Sequence, residues 1–319
     1  MNVLGMYDGI SCGRVAFDRT GIKADKYYAS EIDKYAIQIA QKNYSDTIQI
    51  GDAYNIDYSK LKDIDIVIGG SPCTHWSIAK KDRETTSEGI GFDLFMQYVK
   101  AIEKTKPKYF LYENNYSIHK NIKEEITKKL GVETIMINSA LVSAQQRKRC
   151  YWTNIPNITQ PEDKGIVLKD ILEDEVDSKY IINQLAIPKY IRNNIPKGLR
   201  DINEKSHTVT ASIHKGYGND GCTCIRVGSF NSGGQEDRVY SKDGKSVTLS
   251  ANGGGRGAKT GLYEIGDIIR RLTPVEAERL QTLPDNYTHG VSDTQRYKCI
   301  GNGWTIDVIA HILSFIPNT

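Results

Sequence analysis

The sequence predicts an α/β protein: a doubly wound sheet interrupted, late in the chain, by a smaller domain of short strands and long loops. Three observations predict it. From residue 1 to 154, short β-rich runs alternate with amphipathic stretches at the spacing of strand–helix layers. From 155 to 265 the alternation stops, glycines accumulate and helical periodicity fades. From 266 to 319 helical signals return. The outer segments, 1–154 and 266–319, therefore read as two parts of one domain, with 155–265 inserted between them. A chain of 319 residues has room for two domains and buries a large core without staples.

The strand-like runs are Val3–Tyr7, Lys26–Ala29, Thr47–Ile50, Ile64–Ile68, Tyr109–Tyr112 and Glu133–Ile137, each rich in branched or aromatic residues. Between them Lys34–Tyr44, Phe92–Lys104 and Ile118–Leu130 repeat apolar residues at helical spacing. In Gln145-Gln146-Arg147-Lys148-Arg149, strand geometry would put both arginines on one face. In the middle segment two phrases, Ser206–Ser212 (SHTVTAS) and Ser246–Asn252 (SVTLSAN), alternate β-branched and small polar residues and read as short strands. The acidic run Asp170–Asp177 reads as a solvated helix face. Thr273-Pro274-Val275-Glu276 is a capping box with proline at the first helical position, opening a helix to about Leu283. Gly301-Asn302-Gly303 then precedes a final apolar-periodic helix, Trp304–Ile316.

Composition narrows the function. Charged residues make up 25% and hydrophobic ones 39%, which excludes wholesale disorder. The net charge of +3 excludes a polybasic coat for nucleic acid but leaves room for a basic cleft. The basic excess is 22 against 19 in 1–154, 15 against 14 in 155–265, and 5 against 6 in 266–319, so it sits in the first segment. No apolar run reaches the roughly 18 residues of a membrane span, and the first residues lack the charged start and apolar core of a signal peptide. A cytoplasmic protein with no membrane partner is expected. Six scattered cysteines, with Cys222 and Cys224 the only close pair, suggest neither a disulfide framework nor a metal site.

In open α/β sheets ligands bind beyond the carboxyl ends of the strands. The residues just past each expected strand are therefore informative. The first strand is followed by the turn Asp8-Gly9-Ile10-Ser11-Cys12-Gly13, the second by Glu31, the third by Asp52, the fourth by Gly69-Gly70-Ser71-Pro72-Cys73 and the fifth by Glu113-Asn114. The first turn lacks the spacing of a dinucleotide fingerprint. Glu31 could accept from ribose hydroxyls and Asp52 from an adenine amino group, which suggests a nucleoside cofactor needing no phosphate. Cys73, held by proline in a tight turn, is a candidate nucleophile. Arg147 and Arg149 would draw its thiol toward ionisation.

With these residues in order, the chain resembles the DNA (cytosine-5) methyltransferases nearly end to end. Tyr7-Asp8-Gly9 through Gly13 resembles the family's first motif, for S-adenosylmethionine, and Gly70-Ser71-Pro72-Cys73 its Pro-Cys motif. Glu113-Asn114, Gln145-x-Arg147-x-Arg149, Arg271–Pro284 and Gly301–Trp304 resemble four later motifs in the usual order. Ala29-Ser30-Glu31 and Gly-Gly-Ser-Pro-Cys look closest to the mammalian de novo type and related bacterial and phage enzymes. The chain departs from the family pattern at Tyr7, where phenylalanine is usual, at Cys12, where glycine is, and at Asn115, where an apolar residue is.

The resemblance implies a Rossmann-like methyltransferase sheet and a target-recognition domain at 155–265. It implies transfer of a methyl group from S-adenosyl-L-methionine, leaving S-adenosyl-L-homocysteine, to carbon 5 of a cytosine flipped out of double-stranded DNA. The implied catalytic residues are Cys73 as nucleophile, Glu113 holding N3 and the exocyclic amine, and Arg147 and Arg149 holding the base oxygen and nearby backbone. The implied cofactor site comprises Tyr7, Asp8, Gly9, Ile10, Gly13, Glu31, Ile32, Asp52, Ala53, Gly70, Pro72, Asn302 and Trp304. DNA contacts are expected from Ser77, Lys80, Lys81 and Arg83, and from Arg256 in the glycine loop 253–257. A monomer is expected, with a restriction endonuclease as an optional companion. Two other functions remain open: a transfer-RNA cytosine methyltransferase, although the Cys-Phe-Thr insertion of that lineage is absent, and a catalytically silent DNA-binding paralogue.

Overall fold

The structure is a computed structural model that describes residues 1–72, 75–76, 82–182, 190–191, 226–230, 235–251, 257, 259–266 and 268–317. Cys73, Ser77, Lys80, Lys81, Arg256, Cys222, Cys224 and the Ser206–Ser212 phrase lie outside the described residues.

Seven strands form the main sheet: β1 (Asn2–Met6), β2 (Lys26–Ser30), β3 (Ile48–Gln49), β4 (Ile66–Gly69), β5 (Tyr109–Asn115), β6 (Ile135–Asn138) and β7 (Lys148–Thr153). Their order is β3-β2-β1-β4-β5-β7-β6. β1 to β5 pair in parallel, and β7 runs antiparallel to both of its neighbours. The strands are nearly continuous apolar runs because helices cover both faces. Val3, Ile66 and Ile68 pack on one side with α1 (Cys12–Thr20), α2 (Lys34–Asn43) and α7 (Ile306–Leu313). Leu4, Met6 and Val67 point the other way, toward α3 (Ile90–Thr105) and α4 (Lys120–Leu130). This two-sided alternation fixes the register, since a one-residue slip would exchange the faces. The order reverses direction between β1 and β4, and a crevice opens at such a switch point.

The second sheet has the order β12-β11-β10-β9-β8, from β8 (Tyr190–Ile191), β9 (Arg226–Phe230), β10 (Arg238–Ser241), β11 (Leu262–Ile265) and β12 (Ile268–Arg270). Its last strand lies just past residue 265, because β12 pairs antiparallel with β11 through a tight turn at Gly266. After it come α5 (Pro274–Leu280) and α6 (Asp293–Asn302). The capping box at Thr273 and Glu276 is present in full.

Several expectations are corrected. Residues 246–251 form no strand; they run beside the Gln145 segment, joined by one bridge, Gln145 to Ser246. Asp170–Asp177 is no helix face: a 3-10 turn over Leu168–Ile171 precedes bends, and Asp170 accepts from the Val167 N–H. The helix from Pro274 stops at Leu280, where Gln281 caps it and Thr282 takes a positive φ of 54°. Gly301 and Asn302 belong to the end of α6, and the last helix begins at Ile306 rather than Trp304, with Thr305 at its N-cap. Glu113 and Asn114 sit inside β5, not after it, because pairing with β7 carries the strand on to Asn115. Among the described residues no helix is long and apolar enough to cross a membrane, and Cys12, Cys150 and Cys299 are free and buried.

Candidate active site

A cavity of about 360 Å³ opens at the switch point between β1 and β4, a size suited to a small-molecule ligand. Its wall includes Tyr7, Asp8, Gly9 and Ile10 after β1, Glu31 and Ile32 after β2, and Asp52 and Ala53 after β3. Gly70 and Pro72 follow β4, Glu113 comes from β5, Arg147 and Arg149 from the β7 region, and Asn302 and Trp304 from the end of α6. Residues at six main-sheet strands and one distant helix thus meet around one space. Gly13 does not line it; buried in α1, it faces Ile68 and Tyr27. Arg83 also lies elsewhere, donating to the Ser117 carbonyl at 2.8 Å.

The turn after β1 is built from local strain and polar ties. Tyr7, Gly9 and Ser11 all have positive φ, and at Gly9 (59°) a side chain would be strained. The Gly9 N–H donates to Glu31 Oε2 at 2.8 Å, while Glu31 Oε1 accepts from the Ile32 and Asp33 N–H groups at 2.7 and 2.8 Å. Glu31 therefore joins the first two strand ends. The Tyr7 hydroxyl donates to the Leu94 carbonyl at 2.7 Å, and burial pushes its ionisation far above the ordinary range. Asp52 accepts from the Tyr54 N–H at 3.1 Å and caps a 3-10 turn.

Asp8 accepts from Ser11 Oγ at 2.5 Å and from the Tyr27 hydroxyl at 2.6 Å. Desolvation outweighs these two bonds, and the nearby Glu31 adds repulsion, so its carboxyl is pushed up to about 6. A carboxyl raised in the folded state contributes stability that is full below its unfolded value near 3.8 and is lost as pH rises through about 6. Asp8→Asn, which cannot ionise, is therefore expected to gain thermal stability relative to the wild type as pH goes from 4 to 7. Parallel melting curves with no pH trend in the difference would contradict this.

On the opposite wall, Gly70 is required by close approach: a Cβ there would stand 2.7 Å from the Glu113 carbonyl oxygen and 3.0 Å from Oε2. Glu113 is 9% exposed. Its Oε1 pairs with Arg149 Nε at 2.9 Å, and its Oε2 accepts from Trp304 Nε1 at 3.1 Å. The carboxylate is thereby aimed from two sides. Arg147 is buried and turned toward backbone: its guanidinium donates to the carbonyls of Leu249 (3.5 Å), Gly301 (3.1 Å) and Gly303 (2.9 Å). The loop ahead of Cys73 is fixed by Asn114 Nδ2, which donates to the Ser71 carbonyl at 3.2 Å, and by a 2.6 Å bond between Ser71 Oγ and the Tyr112 hydroxyl.

Sequence reading did not find Tyr54, Leu94, Cys299 or Gly301 on the wall, nor the anchoring role of Asn114. Tyr54 had a signal, an aromatic two residues past a strand-end acid. Leu94, Cys299 and Gly301 are brought in by helices whose orientation no local pattern states.

The arrangement can hold an extended ligand with hydroxyl groups at one end, beside Glu31, and place its other end against Glu113, Arg149 and Pro72. S-adenosylmethionine fits these groups. Ile32 stands 75% exposed at the wall, an apolar surface that a flat ring would cover. Glu31 and Asp52 supply acceptors, and Ile10 and Ala53 supply apolar contact.

Comparisons with known proteins converge. The family model for C-5 cytosine-specific DNA methylases matches residues 1–318. The chain is 28% identical to the Type II methyltransferase M.HhaI of Haemophilus parahaemolyticus over 331 residues, covering 98% of this chain and 93% of that one. It is 29% identical to the Type II methyltransferase M.SsoII of Shigella sonnei over 340 residues, covering 99% and 80%. Among solved structures it matches the S. pombe Dnmt2 methyltransferase with a TM-score of 0.64 at 17% identity, over 99% of this chain and 98% of that one. A putative DNA modification methyltransferase from an E. coli prophage also gives a TM-score of 0.64, at 16% identity over 99% and 98%. These structural likenesses concern the fold. With the family model spanning almost every residue and the strand-end motifs gathered around one cavity, the chain belongs to the C-5 cytosine-specific DNA methylase family.

Proposed function

We propose that this DNA cytosine-5 methyltransferase works through a covalent Cys73 adduct, with S-adenosylmethionine held between the β1 turn, Glu31, Asp52 and Trp304. The observation that carries the reading is the double hold on Glu113, by Arg149 and Trp304, with the Gly70 backbone packed against it. A flipped-out cytosine entering there meets an oriented carboxyl group at its N3 and amino edge. Cys73, which follows Pro72, adds to carbon 6 as its thiolate, and the electron pair displaced onto N3 is met by a proton delivered from Glu113. When bound, S-adenosylmethionine supplies an electrophilic methyl group to carbon 5. Water takes the carbon 5 proton, N3 returns its proton to Glu113 and the thiolate leaves, which restores the ring and the enzyme.

Other observations support these roles. Burial pushes the Cys12 and Cys299 thiols up to about 12 and raises Cys150, so none of the three is a nucleophile at neutral pH. Arg147, spent on carbonyls at Gly301 and Gly303, is best assigned to holding the Trp304 segment, with Arg149 left to face the base. Glu31 and Asp52 are assigned to the ribose and adenine ends of the cofactor. The domain holding the second sheet, residues 155–265 with β12 added, is assigned to target recognition.

The direct assay is incorporation of labelled methyl groups into duplex DNA, with transfer RNA run in parallel. Incorporation into transfer RNA alone would overturn the DNA reading. Glu113→Gln keeps the shape but cannot deliver a proton to N3. It is expected to lower kcat by about 10²–10³-fold, the cost of losing one proton donor, with S-adenosylmethionine affinity nearly unchanged. An equal loss in calorimetric affinity would contradict that division of labour.

A further inference from the structure

Beside the main cavity lies a shallower one of about 230 Å³, bounded by Asn115–Ser117 on one side and the Gln146–Arg149 run with Thr248 on the other. Asn115 and Arg149 line both cavities, so the second adjoins the mouth of the first. At its lip stands Tyr116, 47% exposed, an unusual place for a large ring. Two ammonium groups from different elements converge on that ring. Lys123 of α4 lies 4.3 Å from its centroid and Lys148 of β7 lies 5.8 Å from it. Arg83 reaches in behind and holds the Ser117 carbonyl, fixing the turn that carries Tyr116.

We propose that Tyr116, Lys123 and Lys148 form a platform for a backbone phosphate of the DNA strand that bears the target cytosine. The inference rests on the DNA-methylating reading above. An anion held at the Tyr116 ring would meet the positive charge of both side chains. Cation–π contact steers both side chains to the lip instead of leaving them to sample solvent. Phosphate contacts of this kind set register without reading sequence. The position, one residue beyond the wall shared with the main cavity, suits the nucleotide next to a base that has rotated inward.

The test measures binding to a duplex across salt concentrations for wild type, Lys123→Gln/Lys148→Gln, Tyr116→Ala and Tyr116→Phe. Lys62→Gln serves as a control, because Lys62 precedes β4 at the opposite, amino end of the sheet. Calorimetry with S-adenosylmethionine reports the fold of each variant independently. The slope of log K against log salt is expected to fall by about two in the double variant, about one per lysine, with a KM for DNA raised about tenfold or more. Tyr116→Ala is expected to lose a similar share, and Tyr116→Phe to match wild type because the ring is kept. A double variant that binds S-adenosylmethionine normally and keeps the wild-type slope would overturn the platform alone. A wild type that neither binds nor methylates duplex DNA would overturn the functional reading, and the platform with it.

Discussion

Cys73→Ala is expected to abolish methyl transfer to duplex DNA, lowering kcat by on the order of 10⁴-fold or more, as removal of a covalent nucleophile does elsewhere. S-adenosylmethionine affinity should hold, because the site proposed for it is built on Gly9, Glu31, Ile32 and Asp52, which come from other strand ends. DNA affinity should hold as well, since phosphate contacts dominate it. The signature that separates a covalent from a merely positioning role is trapping. A duplex with 5-fluorocytosine at the target cannot lose its substituent as a proton, so wild type should form a denaturation-resistant adduct and Cys73→Ala none. Full turnover in Cys73→Ala would sink the covalent mechanism whatever the status of the fold.

Glu276→Ala is expected to destabilise the folded protein by about 3–5 kcal/mol, the cost of leaving a buried charge unpaired. Arg270 of β12 is 2% exposed and Glu276 of α5 is 0% exposed. They form a bidentate pair, with Arg270 Nη1 to Glu276 Oε2 at 2.7 Å and Nη2 to Oε1 at 2.6 Å. The same carboxylate accepts from the Thr273 N–H at 2.8 Å and the Glu173 N–H at 2.9 Å. One side chain thus closes the helix cap, neutralises the last strand of the second sheet and ties down the segment before it. Urea unfolding should show a lower midpoint. Pairing Glu276→Leu with Arg270→Met should recover part of the loss, because the burden is the unmatched charge and not the missing contact. A single variant as stable as wild type would show that water or a neighbour relieves Arg270.

Much of the site was legible because its parts are local. A turn with glycine at the first strand end, acids at the next two and Pro-Cys at the fourth are each short runs whose chemistry follows from residue type and position. The parallel sheet was legible for a similar reason, since apolar runs alternating with amphipathic helices leave few alternatives. The middle was less so. Ser246–Ala251 has the alternation of a strand, yet its polar groups are satisfied by the Ala144–Gln146 segment instead of a ladder: Leu249 N–H donates to Gln145 Oε1 at 3.0 Å and Ser246 N–H to the Ala144 carbonyl at 2.7 Å. No local pattern announces a partner a hundred residues away.

The sequence by itself determined the fold class, the order of the strand ends and the chemistry offered at each. Only the tertiary structure decided which groups serve one another. It gave Arg147 to the carbonyls at Gly301 and Gly303, gave Glu113 to Arg149 and Trp304, and removed Gly13 from the cavity wall. The physical reason is range. Strand and turn preferences are set by a few neighbouring residues, whereas the direction of a buried charge is set by which acceptors the packed helices bring within about 3 Å of it.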